Sequence, residues 1–299
     1  MNSLDVNQGL KDAVRALVGG NFTEAQRISR RVLFEEPNAV AFEVLNTSFM
    51  NQIQRRSSIS LSGDCAVDRF IKQNFLYFYD GHFSEQYKEW RMRRIRKLLE
   101  VYGVDFEGKR ILELGAGIGE IGSFFAELGA EVVGLEGRAV NCNLAKLRFR
   151  HLRNYEIRQH NLEDGIGGLG HFDLIINFGL IEVIKNFEAL IQDCMDLSSV
   201  IFLETMVCDS EDPYDVVYVN MSAERCDDWP LSNISPRPSP AFIERLFCEK
   251  GYTVQRYFDR DLNVCPHDFG SNSHCYDWPH KNDKSAEEKL RRFWCFVKE

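Results

Sequence analysis

The chain contains no C-x-x-C pair, although it carries nine cysteines in 299 residues. A structural zinc site needs paired ligand spacing, and a disulfide framework needs an even, clustered set. The cysteines here are odd in number and dispersed, which reads as reduced thiols in a cytoplasmic protein. No apolar run approaches the ~20 residues of a membrane-spanning helix. Met1-Asn2-Ser3-Leu4-Asp5 lacks the basic and apolar regions of a secretory signal. Positive charge is in deficit, with 36 Lys and Arg against 45 Asp and Glu and a net charge of −9. That balance argues against a nucleic-acid polymer as partner. No nucleophile triad is visible. What remains is a chain with 44% hydrophobic residues, long enough to bury a sizeable core in one or two domains.

The most informative segment runs from Ile111 to Gly122 and reads I-L-E-L-G-A-G-I-G-E-I-G. A short apolar strand over 110–114 meets glycines at 115, 117 and 119, and a helical stretch over 120–128 follows. Glycine lets the backbone turn sharply and lets a ligand approach main-chain atoms. The helix start presents unpaired N–H groups. Strand, glycine turn and helix together make a nucleotide-binding corner of a doubly wound sheet. Gly117-x-Gly119-x-x-Gly122 also satisfies the dinucleotide fingerprint. However, Glu113, two residues before the first glycine, suits a cationic amino-acid end and does not suit a pyrophosphate. Glu136, at the end of the next strand, stands where an acid accepts both ribose hydroxyls.

On these residues the chain resembles the class I S-adenosylmethionine-dependent methyltransferases, whose first motif reads E/D-x-G-x-G-x-G. The resemblance spans roughly residues 109–299. It implies S-adenosylmethionine as cofactor, held by Glu113, Gly115, Ala116, Gly117, Gly119, Glu136 and Gly137. It further implies adenine contacts from Asn161, where many members have Asp, and from Leu162. Asn177 and Phe178 would turn under the cofactor after the fourth strand. Leu180-Ile181-Glu182-Val183 resembles a common L-E-H segment, with Val183 in place of the His.

Three regions are expected. Residues 1–53 read as helical, and Gly20, Ala25, Val32 and Pro37 follow the spacing of one tetratricopeptide repeat. One such repeat cannot stack on itself. It therefore packs on the catalytic domain or on a second subunit, or it serves as a protein-docking platform. Residues 54–108 read as a linker and lid helices, the second helix carrying Arg91, Arg93, Arg94, Arg96 and Lys97. Such a run reads as a solvated helix face, with a basic patch for an anionic substrate as the alternative. The aromatic stretch 77–83, including Tyr79 and His82, is a candidate lid contacting substrate. Residues 109–299 alternate strand and helix, which implies an α/β, Rossmann-like, doubly wound seven-stranded sheet with an antiparallel end strand. Strands are expected near 110–114, 131–135, 155–159, 172–177, 199–204, 252–258 and 293–298, with a long irregular stretch over 206–240.

A sulfonium-bound methyl group is already activated, so the protein need only exclude water, align the acceptor and, for a hydroxyl, remove a proton. The 259–285 loop holds His267, His274, Tyr276 and Trp278. Three readings of that loop stand open: a general base from His267 or His274, a divalent metal without diagnostic spacing, and a structural loop. Glu204 and Glu182, near the ends of the fifth and fourth strands, are further catalytic candidates. Tyr276, Trp278 and Arg237 are candidates for substrate contact. His-x-Tyr-x-Trp together with Arg291-Arg292-Phe293-Trp294 is loosely similar to enzymes that methylate sugars of surface glycans. The expected function is methyl transfer to a hydroxyl of a small polar acceptor, a sugar or glycan intermediate. The alternatives are methylation of a protein or another metabolite, an NAD-dependent oxidoreductase, and a non-catalytic cofactor-binding module.

Overall fold

The computed structural model describes residues 6–36, 38–54, 85–220, 234–259, 262–263 and 290–299. Tyr79, His82, His267, His274, Tyr276 and Trp278 lie outside them, as do the expected linker and the first of the lid helices. Nine strands are described: β1 Arg110–Leu114, β2 Glu131–Glu136, β3 Tyr155–Gln159, β4 Leu174–Phe178, β5 Val200–Met206, β6 Val216–Asn220, β7 Ile234–Pro238, β8 Thr253–Tyr257 and β9 Arg291–Val297. Seven of them form one sheet in the order β3-β2-β1-β4-β5-β9-β8. The first five in that order run parallel, and β9 is antiparallel to both β5 and β8. The fold class expected from the strand–helix alternation is therefore the one observed. The chain leaves β1 toward β2 and β3, then returns to β4 on the other side. Ligands bind in the crevice beyond the strand ends at such a reversal of order.

The central strands β1, β4 and β5 are buried on both faces, which is why their sequences are nearly continuous in apolar residues. One face packs Ile111, Val132, Ile176, Phe202 and Phe293 against helices that supply Trp90, Ile95, Phe125 and Ala145. The other packs Leu112, Leu135, Ile175, Leu203 and Trp294 against Phe187, Leu190, Phe242 and Phe247. Side chains alternate between faces along a strand. Glu113 and Glu136 therefore share the first face with Ile111 and Val132.

Two findings depart from the sequence reading. The helix Glu85–Tyr102 is no solvated basic face. Arg91, Arg94 and Lys97 are buried, because each meets an acid: Glu120, Glu204, and Glu100 with Asp259. Part of the stretch read as irregular forms a two-stranded antiparallel ribbon, β6 with β7. Pro236 and Pro238 are tolerated there because each falls opposite a residue to which it owes no ladder hydrogen bond. Of the alternatives open for the amino-terminal region, packing on the catalytic layer is the one observed: helices Val6–Val18, Phe22–Glu35 and Ala39–Gln54 pack together and against the helix Ala139–Arg148. Val32, Leu33, Ala41 and Leu45 cluster with Leu144 and Ile118, and Asn143 Nδ2 donates to the Leu33 carbonyl at 2.7 Å. Ile118 lies within the glycine turn, so the amino-terminal helices support that turn from outside.

Candidate cofactor cleft and acceptor end

The glycine turn has the geometry its sequence demands. Gly115, Gly117 and Gly119 have φ of 70°, 54° and 82°, the left-handed region that side chains avoid. Gly119 N–H closes the turn on the Ala116 carbonyl at 2.9 Å, and Gly119 caps the helix Glu120–Glu127. A Cβ on Gly115 would stand 3.1 Å from the Leu180 side chain, so glycine keeps the floor of the cleft open.

Around this turn a cleft is lined by Glu113, Gly115, Ala116, Gly117, Glu136, Gly137, Asn161, Leu162 and Phe178, all expected from the sequence. Glu136 Oε2 accepts from Gly117 N–H at 2.8 Å, and Oε1 from Arg138 N–H at 2.9 Å. A carboxylate has about four acceptor sites. Two therefore remain for the paired hydroxyls of a ribose. Asn161 caps the short turn Leu162–Asp164 by accepting from Glu163 N–H at 3.2 Å. Its carbonyl oxygen thus has a structural duty besides any adenine contact. Glu113 is 3% exposed, and burial pushes its carboxyl up to about 8 against the hydrogen bonds from Tyr155 and Gly122.

Several expected residues sit elsewhere. Asn177 is fully buried and does not line the cleft, because alternation along β4 turns Phe178 toward the cleft and Asn177 to the opposite face. Gly119 serves the turn and the close approach of Phe149, which a Cβ would meet at 3.0 Å. Arg237 is 1% exposed and donates to the Glu182 carbonyl at 3.4 Å, behind the cleft wall. Glu204, expected to face the cleft, is also fully buried. Its Oε1 takes Arg94 Nη2 at 2.9 Å and Arg291 Nε at 2.5 Å, and its Oε2 takes Arg291 Nη2 at 3.1 Å. Both oxygens are thus occupied by guanidinium donors within the protein. Glu182 does line the cleft, and it is buried. It lies in the short turn Ile181–Val183, where Arg291 Nη2 reaches Oε1 at 2.7 Å and the Thr205 hydroxyl reaches Oε2 at 2.6 Å. Burial favours its neutral form, but Arg291, Thr205 and Arg237 outweigh that and hold the carboxyl below its ordinary value.

The sequence reading assigned no place in the cleft to Trp90, Arg91, Glu120, His160, Met206 or Arg291, which also line it. Trp90 stacks under Arg94, whose guanidinium carbon lies 4.2 Å from the ring centre. Arg91 Nε and Arg148 Nη1 hold the two oxygens of Glu120 at 3.0 and 3.2 Å. Among the described residues no cluster of His, Cys, Asp and Glu could hold a metal ion. No described helix is long and apolar enough to cross a membrane.

The family described as a methyltransferase domain matches residues 87–257, more than half of the chain. The chain belongs to that family. Among curated proteins, this methyltransferase is 31% identical to the ubiquinone biosynthesis O-methyltransferase of Chelativorans sp. (strain BNC1), over 31% of the chain and 37% of the relative. It is 34% identical to the protein N-lysine methyltransferase METTL21A of Danio rerio, over 34% of the chain and 50% of the relative. The matches thus span between about a third and a half of the curated relatives' length. Among solved structures, the amino-terminal domain of EvdMO1 with S-adenosylhomocysteine bound superposes with a TM-score of 0.54 at 20% identity. That alignment covers 83% of this chain and 96% of the other, and it supports the fold.

The cleft fits S-adenosylmethionine on its own chemistry. Glu113 suits the cationic amino-acid end, the glycine cradle admits close approach, and Glu136 retains acceptor sites for the ribose. S-adenosylmethionine is the cofactor of this methyltransferase.

Proposed function

We propose that this methyltransferase methylates a hydroxyl of a small polar acceptor, a sugar or glycan intermediate. When bound, the cofactor supplies a methyl group already activated on sulfur. The chain's own residues must then exclude water, orient the acceptor and manage its proton. The observation that carries the reading is the lining of the cleft beyond the glycine turn, where Trp90, Phe178 and Met206 stand beside Glu182 and Arg291. Aromatic and thioether surface suits the apolar faces of a sugar ring, and an ionised carboxylate next to a guanidinium suits its hydroxyls. Held below its ordinary value, the Glu182 carboxyl remains an acceptor of hydrogen bonds and orients a hydroxyl without taking its proton. The proton itself is assigned to His267 or His274, with Tyr276, Trp278, Tyr79 and His82 as further substrate contacts, as the sequence suggests.

An ionised Glu182 would also receive an ammonium, which favours a second reading, methylation of a lysine. One experiment separates the two. Methyl-labelled S-adenosylmethionine is incubated with the protein and with separate pools of sugar intermediates and protein, and the products are hydrolysed. Label recovered as a base-stable sugar methyl ether supports the proposal. Label recovered as methyl-lysine overturns it.

A further inference from the structure

We propose that Tyr155 is a positioning residue that holds Glu113 for the cofactor, and that cofactor binding releases a proton from Glu113. The inference rests on S-adenosylmethionine as the cofactor, and its test reads binding, independently of the acceptor.

The geometry begins with two glycines that no turn requires. Gly122 lies within the helix Glu120–Glu127, and Gly134 lies within β2. Neither has a positive φ among the glycines that do. Glycine inside a helix or strand costs roughly 0.5–1 kcal/mol relative to alanine, so each position calls for a packing reason. A Cβ on Gly134 would stand 3.3 Å from Tyr155 Cε2, 3.0 Å from the Ala116 Cβ and 2.8 Å from Ile157 Cδ1. A Cβ on Gly122 would collide with Glu113 Oε2 and stand 2.7 Å from the Tyr155 hydroxyl. The two glycines leave a passage through which the Tyr155 ring, starting from β3, crosses β2 and reaches β1. Its hydroxyl donates to Glu113 Oε2 at 2.9 Å, and Gly122 N–H donates to the same oxygen at 3.0 Å. Both bonds converge on Oε2. No described residue donates to Oε1, and Glu113 lines the cleft. The third glycine of the Gly117-x-Gly119-x-x-Gly122 pattern thus serves this contact and no phosphate.

The charges around the pair come from every neighbouring element. Arg91 faces Glu113 from the helix Glu85–Tyr102, and Glu136 faces it from β2. Arg148 and Cys142, on the helix Ala139–Arg148, face Tyr155. Glu120, on the glycine-turn helix, is neutralised by Arg91 and Arg148. Burial is the largest influence and leaves Glu113 protonated near neutral pH, with its carboxyl at about 8. A cationic ligand group beside Oε1 reverses that preference. The Glu113 O–H bond breaks, the proton passes to solvent, and the carboxylate faces the cation. The Tyr155 and Gly122 bonds favour the ionised form and hold Oε2 while this happens.

The probe is S-adenosylhomocysteine, titrated calorimetrically into the full chain between pH 6 and 8. In two buffers of different ionisation enthalpy at pH 7, the heats should differ by close to one proton released per ligand bound. Affinity should rise by about tenfold per pH unit over this range and then level. Glu113→Gln should release no proton and bind with a flat pH profile. Tyr155→Phe should shift the levelling to higher pH and weaken binding at pH 7, with the deficit shrinking as pH rises. Loss of packing alone would weaken binding equally at every pH. The inference is overturned if the wild-type heats are the same in both buffers, or if Tyr155→Phe leaves the shape of the profile unchanged. The wild-type measurement needs no variant to fold.

Discussion

Glu204→Gln separates a structural acid from a catalytic one. The side chain is fully buried, with Arg94 and Arg291 on its two oxygens, and Arg291 continues to Glu182 at 2.7 Å. Arg94 also donates to the Trp90 and Leu262 carbonyls. Its guanidinium is pulled down to about 10 by burial, against the opposing pull of Glu204. Glutamine keeps the shape but loses the charge, and its amide N–H points at a guanidinium that can accept nothing. Breaking a buried ion pair by removing one partner costs about 3–5 kcal/mol, because the other charge is left uncompensated. With a urea slope near 3 kcal/mol/M, the unfolding midpoint should fall by roughly 1–2 M. Cofactor affinity should change little, since Glu204 does not line the cleft. Adding Arg94→Met should recover part of the lost stability, because the orphaned cation is gone. If Glu204→Gln kept wild-type stability and lost two or more decades of turnover, Glu204 would be a proton acceptor and the structural argument would fail.

Two further outcomes are expected. Glu113 rises from its ordinary 4.5 to about 8 on folding, so its contribution to stability is fully present below pH 4.5 and is lost as pH rises through 8, by up to 1.36 kcal/mol per pH unit. Glu113→Gln should therefore flatten that slope and raise the stability of the cofactor-free protein at pH 7 by up to about 3 kcal/mol, read from denaturant curves at several pH values. Leu33→Asp places a charge among Val32, Leu45, Leu144 and Ile118. It should make helices 6–54 protease-sensitive and weaken S-adenosylhomocysteine binding, and unchanged affinity after their detachment would mean an independent module.

What was legible in the sequence was what depends on near neighbours. The glycine turn, the acids before and after it and the parallel strands each follow from a pattern of a few residues. The expected strand over 131–135 is observed as Glu131–Glu136, and that over 199–204 as Val200–Met206. The run of arginines in Glu85–Tyr102 was read as solvated because its partners are remote. Arg94 meets Glu204 across 110 positions of sequence, and nothing local marks that pairing. Trp90, Arg91 and Arg291 were missed at the cleft for the same reason. The ribbon of β6 and β7 was hidden by two prolines, which argue against a strand unless its hydrogen-bonding register is known. Asn177 and Phe178 were assigned together to the cofactor, yet adjacent residues of a strand cannot share a face.

The two buried charge clusters have one element in common. Arg91, on Glu85–Tyr102, ties that helix to Glu120 and Arg148 beside the glycine turn. Arg94, three residues later and so on the same helix face, ties it to Glu204, Arg291 and Glu182 at the acceptor end. Trp90 lies between them, close enough to Gly179 that a Cβ there would stand 3.3 Å from the indole and from Arg291. A rigid helix held at both ends of one cleft fixes the distance between the cofactor's amino-acid end and the wall that receives the acceptor. Methyl transfer is sensitive to that distance, because the reacting atoms must approach to about 3–3.5 Å in line. Surface ion pairs would be too weak to set it. Buried ones are costly to form but stiff once made, since any displacement exposes an uncompensated charge to an apolar interior. The burial of these arginines is thus better explained by the geometry of the reaction than by stability, which an apolar helix face would have served as well.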